Sequence, residues 1–350
     1  MPPKRQLDDV ACYLVGWIAP LLNEQTAAIA SLDEEHDRPK NFERPSEDPN
    51  AYTWGCIKGH NIVIVSLGAT VYGTVNASIV ATRMRLALPH LRVGLLVGIG
   101  AGLNVKHRDI RLGDVVVSQP EKQVGGVIQY DLTKNGLGAA ERIGFMSAPP
   151  EALLQALNGV RSRHLMEDSK MPDIIQGILD RWPKLRENGF THPGIEYDRL
   201  FESSNDHITG NEDCQGCDSD AVVERSPRPH PLTPRIHYGT IASGNRLVKS
   251  AREREILISH LSNTCLCLEM EAAGVMNTFP CLVIRGICDY ADTHKNDAWQ
   301  NYAAITATAF ASELLGYLDI GDVESTKPIR MMDVKVFKLL NTQPFHSKTE

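Results

Sequence analysis

Residues 265–269, CLCLE, and 281–289, CLVIRGICD, are short and almost continuously apolar, and each ends on a carboxylate. Unbroken apolar runs of this length mark strands buried on both faces, which requires helices on both sides of a sheet. Glu269 and Glu271 close the first run, Asp289 and Asp292 the second, and a small-residue helix start, AAG, lies between them. In open α/β sheets, ligands bind at the carboxyl ends of strands. A lone carboxylate there would be a helix cap or a surface turn. Acids at two consecutive strand ends call for a chemical reason.

The rest of the chain repeats the alternation. ACYLVGWIA (11–19) and RVGLLVGIG (92–100) read as buried strands, and 52–68 as a hairpin with glycine turns. GDVVVS, GGVIQYD and IHYGTIASGN supply further strands. Helical spacing of apolar residues appears over 20–36, 74–89, 251–260 and 301–318. Between 135 and 235 the pattern changes to amphipathic segments and a polar stretch, and α/β alternation then resumes. The expectation is one α/β domain over 10–318 with a helical and loop insertion at about 135–235, then a loose extension over 319–350.

Bulk properties exclude several classes. Asp and Glu outnumber Lys and Arg by 43 to 36, giving a formal charge of −7, whereas a general nucleic-acid binder wants a basic surface. No apolar run approaches the roughly 20 residues that span a bilayer, and the N-terminus lacks a secretory pattern. Six of the eight cysteines sit in apolar or strand-like settings, as in a reducing compartment, and the cytoplasm is the expected location.

Three motifs remain. VGIGAG (97–102) has closely spaced glycines at a strand end but no helix after them, so it is expected to be a tight turn rather than a dinucleotide site. Such a turn brings backbone N–H groups near a sugar or an anion. CQGC (214–217), near His207, lacks the second Cys pair of a strong zinc signal and reads first as two loop thiols. Asp218 or His230 would be needed to complete four ligands. VKHRDIR (105–111) is basic for its length, a surface loop with the alternative of a phosphate contact. No GxSxG elbow is present.

GDVVVS, GGVIQYD, IHYGTIASGN, LEMEAAG and VIRGICDYADTHKN, in that order, resemble the purine/uridine phosphorylase and nucleosidase superfamily. The likeness includes methylthioadenosine/S-adenosylhomocysteine nucleosidases. It extends to a fungal branch found at the front of NACHT-, ankyrin- or TPR-bearing receptor-like proteins. The resemblance implies a three-layer α/β/α fold around a mixed, partly barrel-like sheet, and assembly into dimers or higher oligomers. It also implies cleavage of a purine N-glycosidic bond through an oxocarbenium-like ribosyl group. The partner is then a small nucleoside or nucleotide, with no cofactor and no catalytic metal.

By the same resemblance, Asp289 falls where the acid acts on the purine N7, and Glu271 where a carboxylate binds the ribose diol. Met270 would pack on the sugar with Glu269 secondary. Gly100 and Ile99 lie in the glycine-rich segment, Ile99 standing where a serine is common. Leu247 and Val248, after Asn245 of SGN, replace the aromatic that stacks on the base. Phosphorylases hold phosphate with arginines in the first helix region and before the glycine-rich segment. This sequence has none there, with Leu96 and Val97 at the second position. Glu24 instead matches the glutamate that activates water, which favours hydrolysis over phosphorolysis or a purely sensing module. Lys58, Arg83, Lys106, Arg108 and Arg111 are candidate cations for a 5′-phosphate chain.

Overall fold

The computed structural model describes residues 4–105, 108–134, 141–142, 144–208, 214, 216–261 and 265–331. The first half contains β1 (Arg5–Gln6), β2 (Val15–Ile18), α1 (Leu22–Ala30), β3 (Glu34–Asp37), β4 (Tyr52–Ile57), β5 (His60–Val65), α2 (Thr74–Ala87), β6 (Val93–Gly102), β7 (Val115–Ser118) and β8 (Val127–Gln129). After the small pair β9 (Thr133–Lys134) and β10 (Glu141–Arg142) come α3 (Glu151–His164), α4 (Met171–Arg181) and α5 (Lys184–Glu187). The remainder is β11 (Ile236–Ser243), α6 (Ala251–His260), β12 (Cys265–Glu269), α7 (Ala272–Val275), β13 (Cys281–Asp289), α8 (Gln300–Leu315) and α9 (Ile320–Ser325).

The main sheet is mixed. β6 pairs in parallel with β2 and β13, while β12 runs antiparallel to β6 and β7 antiparallel to β13. Following β6, β12, β11, β7 and β13 returns to β6, so five strands close into a barrel; β2, β5, β4, β3 and β1 extend from β6 as an open wing, and β8 pairs with β11. Closure removes the exposed edges that five short strands would otherwise carry. Helix α8 lies on one face against β13 and β6, with α1, α3 and α4 outside it; α2 and α7 pack together across the opposite face. This is the three-layer, partly barrel-like architecture expected.

Several local expectations change. The helical reading of 20–36 stops at Ala30, and Glu34–Asp37 is instead an outer strand paired with β1 and β4. Pairing on both sides satisfies its backbone groups, and His36 is buried while the three acids keep access to solvent. The glycines at 98, 100 and 102 make no turn: β6 runs unbroken through all of them. They are needed for close approach. A β-carbon at Gly98 would collide with Glu24 and Arg285, and one at Gly100 would lie 2.6 Å from Cys267 Sγ and 2.9 Å from the Leu268 carbonyl.

The 135–235 segment shares the main core: Leu153, Leu157 and Val160 of α3 and Met171, Ile175 and Ile178 of α4 join the cluster built on α8. Its end is also fastened by a buried guanidinium, since Arg228 donates to both oxygens of Asp114, which His237 also contacts. The extension from 319 opens with α9, and Val323 and Ile329 are buried; residues 332–350 lie outside the described residues. The charge-rich face of α6 is mostly solvated, but Arg254 turns inward and donates to the Tyr290 carbonyl at 2.8 Å.

The fit of α8 to β13 depends on Gly286, where an added β-carbon would overlap the Ala303 carbonyl. Gly286→Ala is expected to destabilise the fold by about 1–3 kcal/mol through overpacking. Gly177→Ala, on the open side of α4 with nothing near its β-carbon position, should stabilise by up to about 1 kcal/mol through helix propensity. Urea unfolding midpoints of the two variants should therefore move in opposite directions, and parallel shifts would refute this packing account.

Candidate active site

Glu24 is the third residue of α1, and its Oε2 accepts the Leu21 N–H at 2.6 Å. A carboxylate in the first turn completes an open helix donor and complements the dipole. Its Oε1 accepts the Ile99 N–H at 2.7 Å and lies 3.8 Å from Arg285 Nη1. Burial pushes the Glu24 pKa up to about 7; Arg285 opposes the shift and Glu271 adds to it. A carboxyl group near neutrality is well placed to take a proton from water.

Arg285 is the residue that sequence reasoning passed over. It is fully buried in β13, ion-paired with Glu269, with Nη2 3.3 Å from Glu271 and Nη1 near Glu24. Its signal was available: a single guanidinium inside CLVIRGIC has no solvent to reach and must have carboxylate partners. Glu269 also accepts backbone N–H groups of Glu271 and Ala272, at 3.1 and 3.0 Å, and so caps α7. Glu271 turns to the start of α2, where Gly73 N–H donates to Oε1 at 3.1 Å. Burial raises the Glu271 pKa, with Arg285 pulling it down.

Asp289 ends β13. Its Oδ1 accepts the Ala291 N–H at 2.8 Å, and Lys295 Nζ donates to Oδ2 at 2.8 Å. Burial works against the Lys295 ammonium, but Asp289 together with Cys288 and Asp297 outweighs it, and the Lys295 pKa is raised. The ammonium thus stays charged beside the acid.

These groups face one cavity of about 350 Å³. Glu24, Glu269, Glu271, Asp289, Met270, Ile99, Gly100, Leu247 and Val248 all line it. Asn245 does not: its Oδ1 accepts the Thr74 N–H at 2.9 Å and its own N–H donates to Asp131, so it clips the end of β11 to the start of α2. Tyr72 and Tyr130, which sequence reasoning did not single out, are the aromatic walls. None of the anticipated cations Lys58, Arg83, Arg108 and Arg111 lines the cavity, and Lys106 lies outside the described residues. Arg111 is bound to Asp109 and the Ser226 carbonyl. The cavity's cations are Arg246, Lys249 and Lys295.

No family model matches the chain. Over 324 residues, 93% of this chain, it is 41% identical to a nucleotide-binding leucine-rich repeat (NLR)-like protein of Hyaloscypha variabilis, covering 31% of that protein. A stretch of 85 residues, 23% of this chain, is 35% identical to the ATP nucleosidase Cap17 of Escherichia coli, covering 17% of it. The chain therefore spans less than a third of the length of these curated relatives. Among solved structures, Streptococcus pneumoniae MTA/SAH nucleosidase with 8-aminoadenine aligns at a TM-score of 0.54 and 17% identity, covering 87% of this chain and 100% of that one. Helicobacter pylori futalosine hydrolase aligns at 0.52 and 17%, covering 88% and 99%.

The fold is nucleoside phosphorylase-like. The carboxylate-lined cavity lies at the ends of β12 and β13, which carry Glu269 and Asp289.

The raised Glu24 pKa has a stability consequence. Between its ordinary value of 4.5 and about 7, the folded chain holds a proton that the unfolded chain has released. Its stabilising contribution is therefore complete below about pH 4.5 and is lost as pH rises through 7. Glu24→Gln cannot ionise and escapes that loss. The melting temperature of the Gln variant relative to the parent should rise from about pH 5 to about pH 8. A flat difference across that range would show that Glu24 is not shifted.

Proposed function

We propose that the chain is a purine nucleoside or nucleotide N-ribosyl hydrolase that releases a free base with water as the nucleophile. One observation carries the reading: Glu24, fixed between the Leu21 and Ile99 N–H groups with a pKa of about 7, opens onto the same cavity as Glu271 and Asp289. At neutral pH about half of such a group is ionised and able to deprotonate water. Glu271 accepts hydrogen bonds from the ribose diol, and the carboxylate cluster stabilises positive charge growing on the sugar. Asp289 addresses N7 of the departing purine, held in place by Ala291 and Lys295. Met270 packs on the sugar, and Leu247 and Val248 form an apolar wall for the base.

Phosphorolysis is disfavoured by charge. The guanidinium near Glu24 belongs to Arg285, which is already shared among Glu24, Glu269 and Glu271. A phosphate dianion at that point would meet carboxylates without a free cation. The 5′-group is a different matter. Arg246, Lys249 and Lys295 line the cavity, and a neighbouring hollow of about 690 Å³ shares Lys249, Asp289 and Lys295 with it. That combination suits a 5′-phosphate chain, and the E. coli relative described as an ATP nucleosidase supports an adenine nucleotide as substrate.

The NLR-like relative supports a receptor-like protein as the setting for this activity. Five of the eight cysteines are buried thiols, which accords with the cytoplasm. A homo-oligomer is supported by α2, whose exposed Val75, Ile79 and Leu86 share a helix face beside Tyr72.

Two measurements test the reading. Adenosine, methylthioadenosine, AMP and ATP, incubated with the protein in phosphate-free buffer, should yield free adenine and ribose or its 5′-derivative for at least one substrate. A requirement for phosphate, with ribose 1-phosphate accumulating, would replace hydrolysis by phosphorolysis. Asp289→Asn preserves shape but cannot take up a proton and pass it to N7 as a carboxylate can, and should lower kcat by about 100-fold or more with the fold intact. Near-normal turnover by a folded Asn variant would remove Asp289 from the mechanism.

A further inference from the structure

The insertion and the loop after Asp289 meet at a His/Cys cluster on the wall of the 690 Å³ hollow, and no bond-breaking step of the proposed hydrolysis uses it. Cys217 Sγ lies 3.2 Å from His207 Nδ1, and Cys214 Sγ lies 3.8 Å from the same nitrogen. His294 arrives from the other side, and the ligand atoms of His207, Cys217 and His294 all fall within 4.8 Å of one another. In a tetrahedral zinc site with Zn–S near 2.3 Å and Zn–N near 2.0–2.1 Å, neighbouring ligand atoms stand about 3.4–3.8 Å apart. His207, Cys217 and His294 are close to that size before any metal draws them in, whereas Cys214 touches His207 but lies outside that group and moves inward to complete the set.

His294 supplies an independent argument. Its side chain is buried and lies flat on Phe201, with ring centroids 3.7 Å apart and 8° between planes. Both of its ring nitrogens are buried without a hydrogen-bond partner. The Asp292 carboxylate is 3.9 Å from Nδ1, beyond hydrogen-bond reach. A buried imidazole with neither nitrogen satisfied is costly. A metal ion bound by one of them answers that cost.

We propose that His207, Cys214, Cys217 and His294 bind one zinc ion in a closed tetrahedral Cys2His2 site. The residues that sequence spacing offered as a fourth ligand do not take part. His230 is exposed, and Asp218 is occupied in capping a short turn through the Asp220 N–H. The fourth ligand comes from the THKN segment, far along the chain. Two thiolates balance the charge of Zn²⁺, so the buried site is neutral, and binding releases two thiol protons to solvent. Thiolate and imidazole donors select zinc over magnesium or calcium. The surroundings are already ordered for it. The His207 N–H donates to Thr293 Oγ1 at 2.8 Å, and Arg199 donates to the Cys214 carbonyl at 3.3 Å.

The position gives the ion a purpose. His294 precedes Lys295, which pairs with Asp289, so a closed zinc site pins the insertion to the loop that holds the acid. The ion is structural, with all four positions filled by protein, and leaves none open for substrate.

The test begins with the full 350-residue chain, purified under reducing conditions without added chelator. Elemental analysis should find close to one zinc per chain, and zinc-edge absorption should show two sulfur and two nitrogen neighbours. Cobalt exchange should give the visible absorption of a tetrahedral thiolate site. Cys214→Ser and His294→Ala should each cut zinc content severalfold and lower the melting temperature, while His230→Ala leaves both unchanged. If the variants do not fold, the absorption spectra of the parent protein decide alone. Metal-free parent protein that takes up no zinc under reducing conditions would overturn the proposal. So would a Cys214–Cys217 disulfide in its place, or a zinc ion without sulfur neighbours. These readouts do not depend on base release, so a failed zinc site leaves the hydrolase reading standing, and the converse holds.

Discussion

A single buried guanidinium organises the cavity. Arg285 sits in the middle of β13 with no route to water, and charge in such a place persists only when it is paired and hydrogen-bonded. Its partners come from two directions: Glu24 from the first helix, and Glu269 and Glu271 from the end of β12. The arginine therefore ties three segments distant in sequence to one point. It also leaves an excess of carboxylate around one cation, which favours a positively charged sugar over an anionic nucleophile.

The fold supplies the room for this cluster. β6 passes beside Arg285, and Gly98 is the residue there that has no side chain to displace Glu24 or the guanidinium. The Ile99 N–H, on the same strand, holds the other side of Glu24. Barrel closure between β6 and β13 fixes the strand carrying the glycines against the strand carrying Arg285 and Asp289. Packing of α8 against Gly286 presses β13 into that register. The site is thus as rigid as the sheet, except at the loop after Asp289, where Lys295 and His294 connect it to the insertion.

That connection separates this chain from a minimal α/β frame. Arg228 joins the insertion to Asp114 beside the barrel, Arg254 of α6 reaches the Tyr290 carbonyl, and Arg225 bonds the Tyr290 hydroxyl. Each is a guanidinium drawn inward to a carbonyl, hydroxyl or carboxylate near the acid. The polar stretch of the insertion, which looks dispensable by composition, is packed around the least regular part of the site.

The sequence by itself determined the fold class, the strand ends bearing Glu269, Glu271 and Asp289, and the position of Glu24 at a helix start. These are local signals, because apolar runs, periodicity and motif order are properties of neighbouring residues. It also carried, unread, the anomaly of Arg285 in an apolar strand. Tertiary structure alone decided which groups meet. It replaced the anticipated basic residues Lys58, Arg83, Arg108 and Arg111 by Arg246, Lys249 and Lys295, because facing a cavity depends on strand register and helix rotation rather than on local charge. It turned the glycines from a turn into a channel for side chains, moved Asn245 from the cavity to a clip between elements, and brought His294 to Cys214 and Cys217. Contacts between residues far apart in the chain are set by how strands pair and layers pack, and no short window of sequence contains that information.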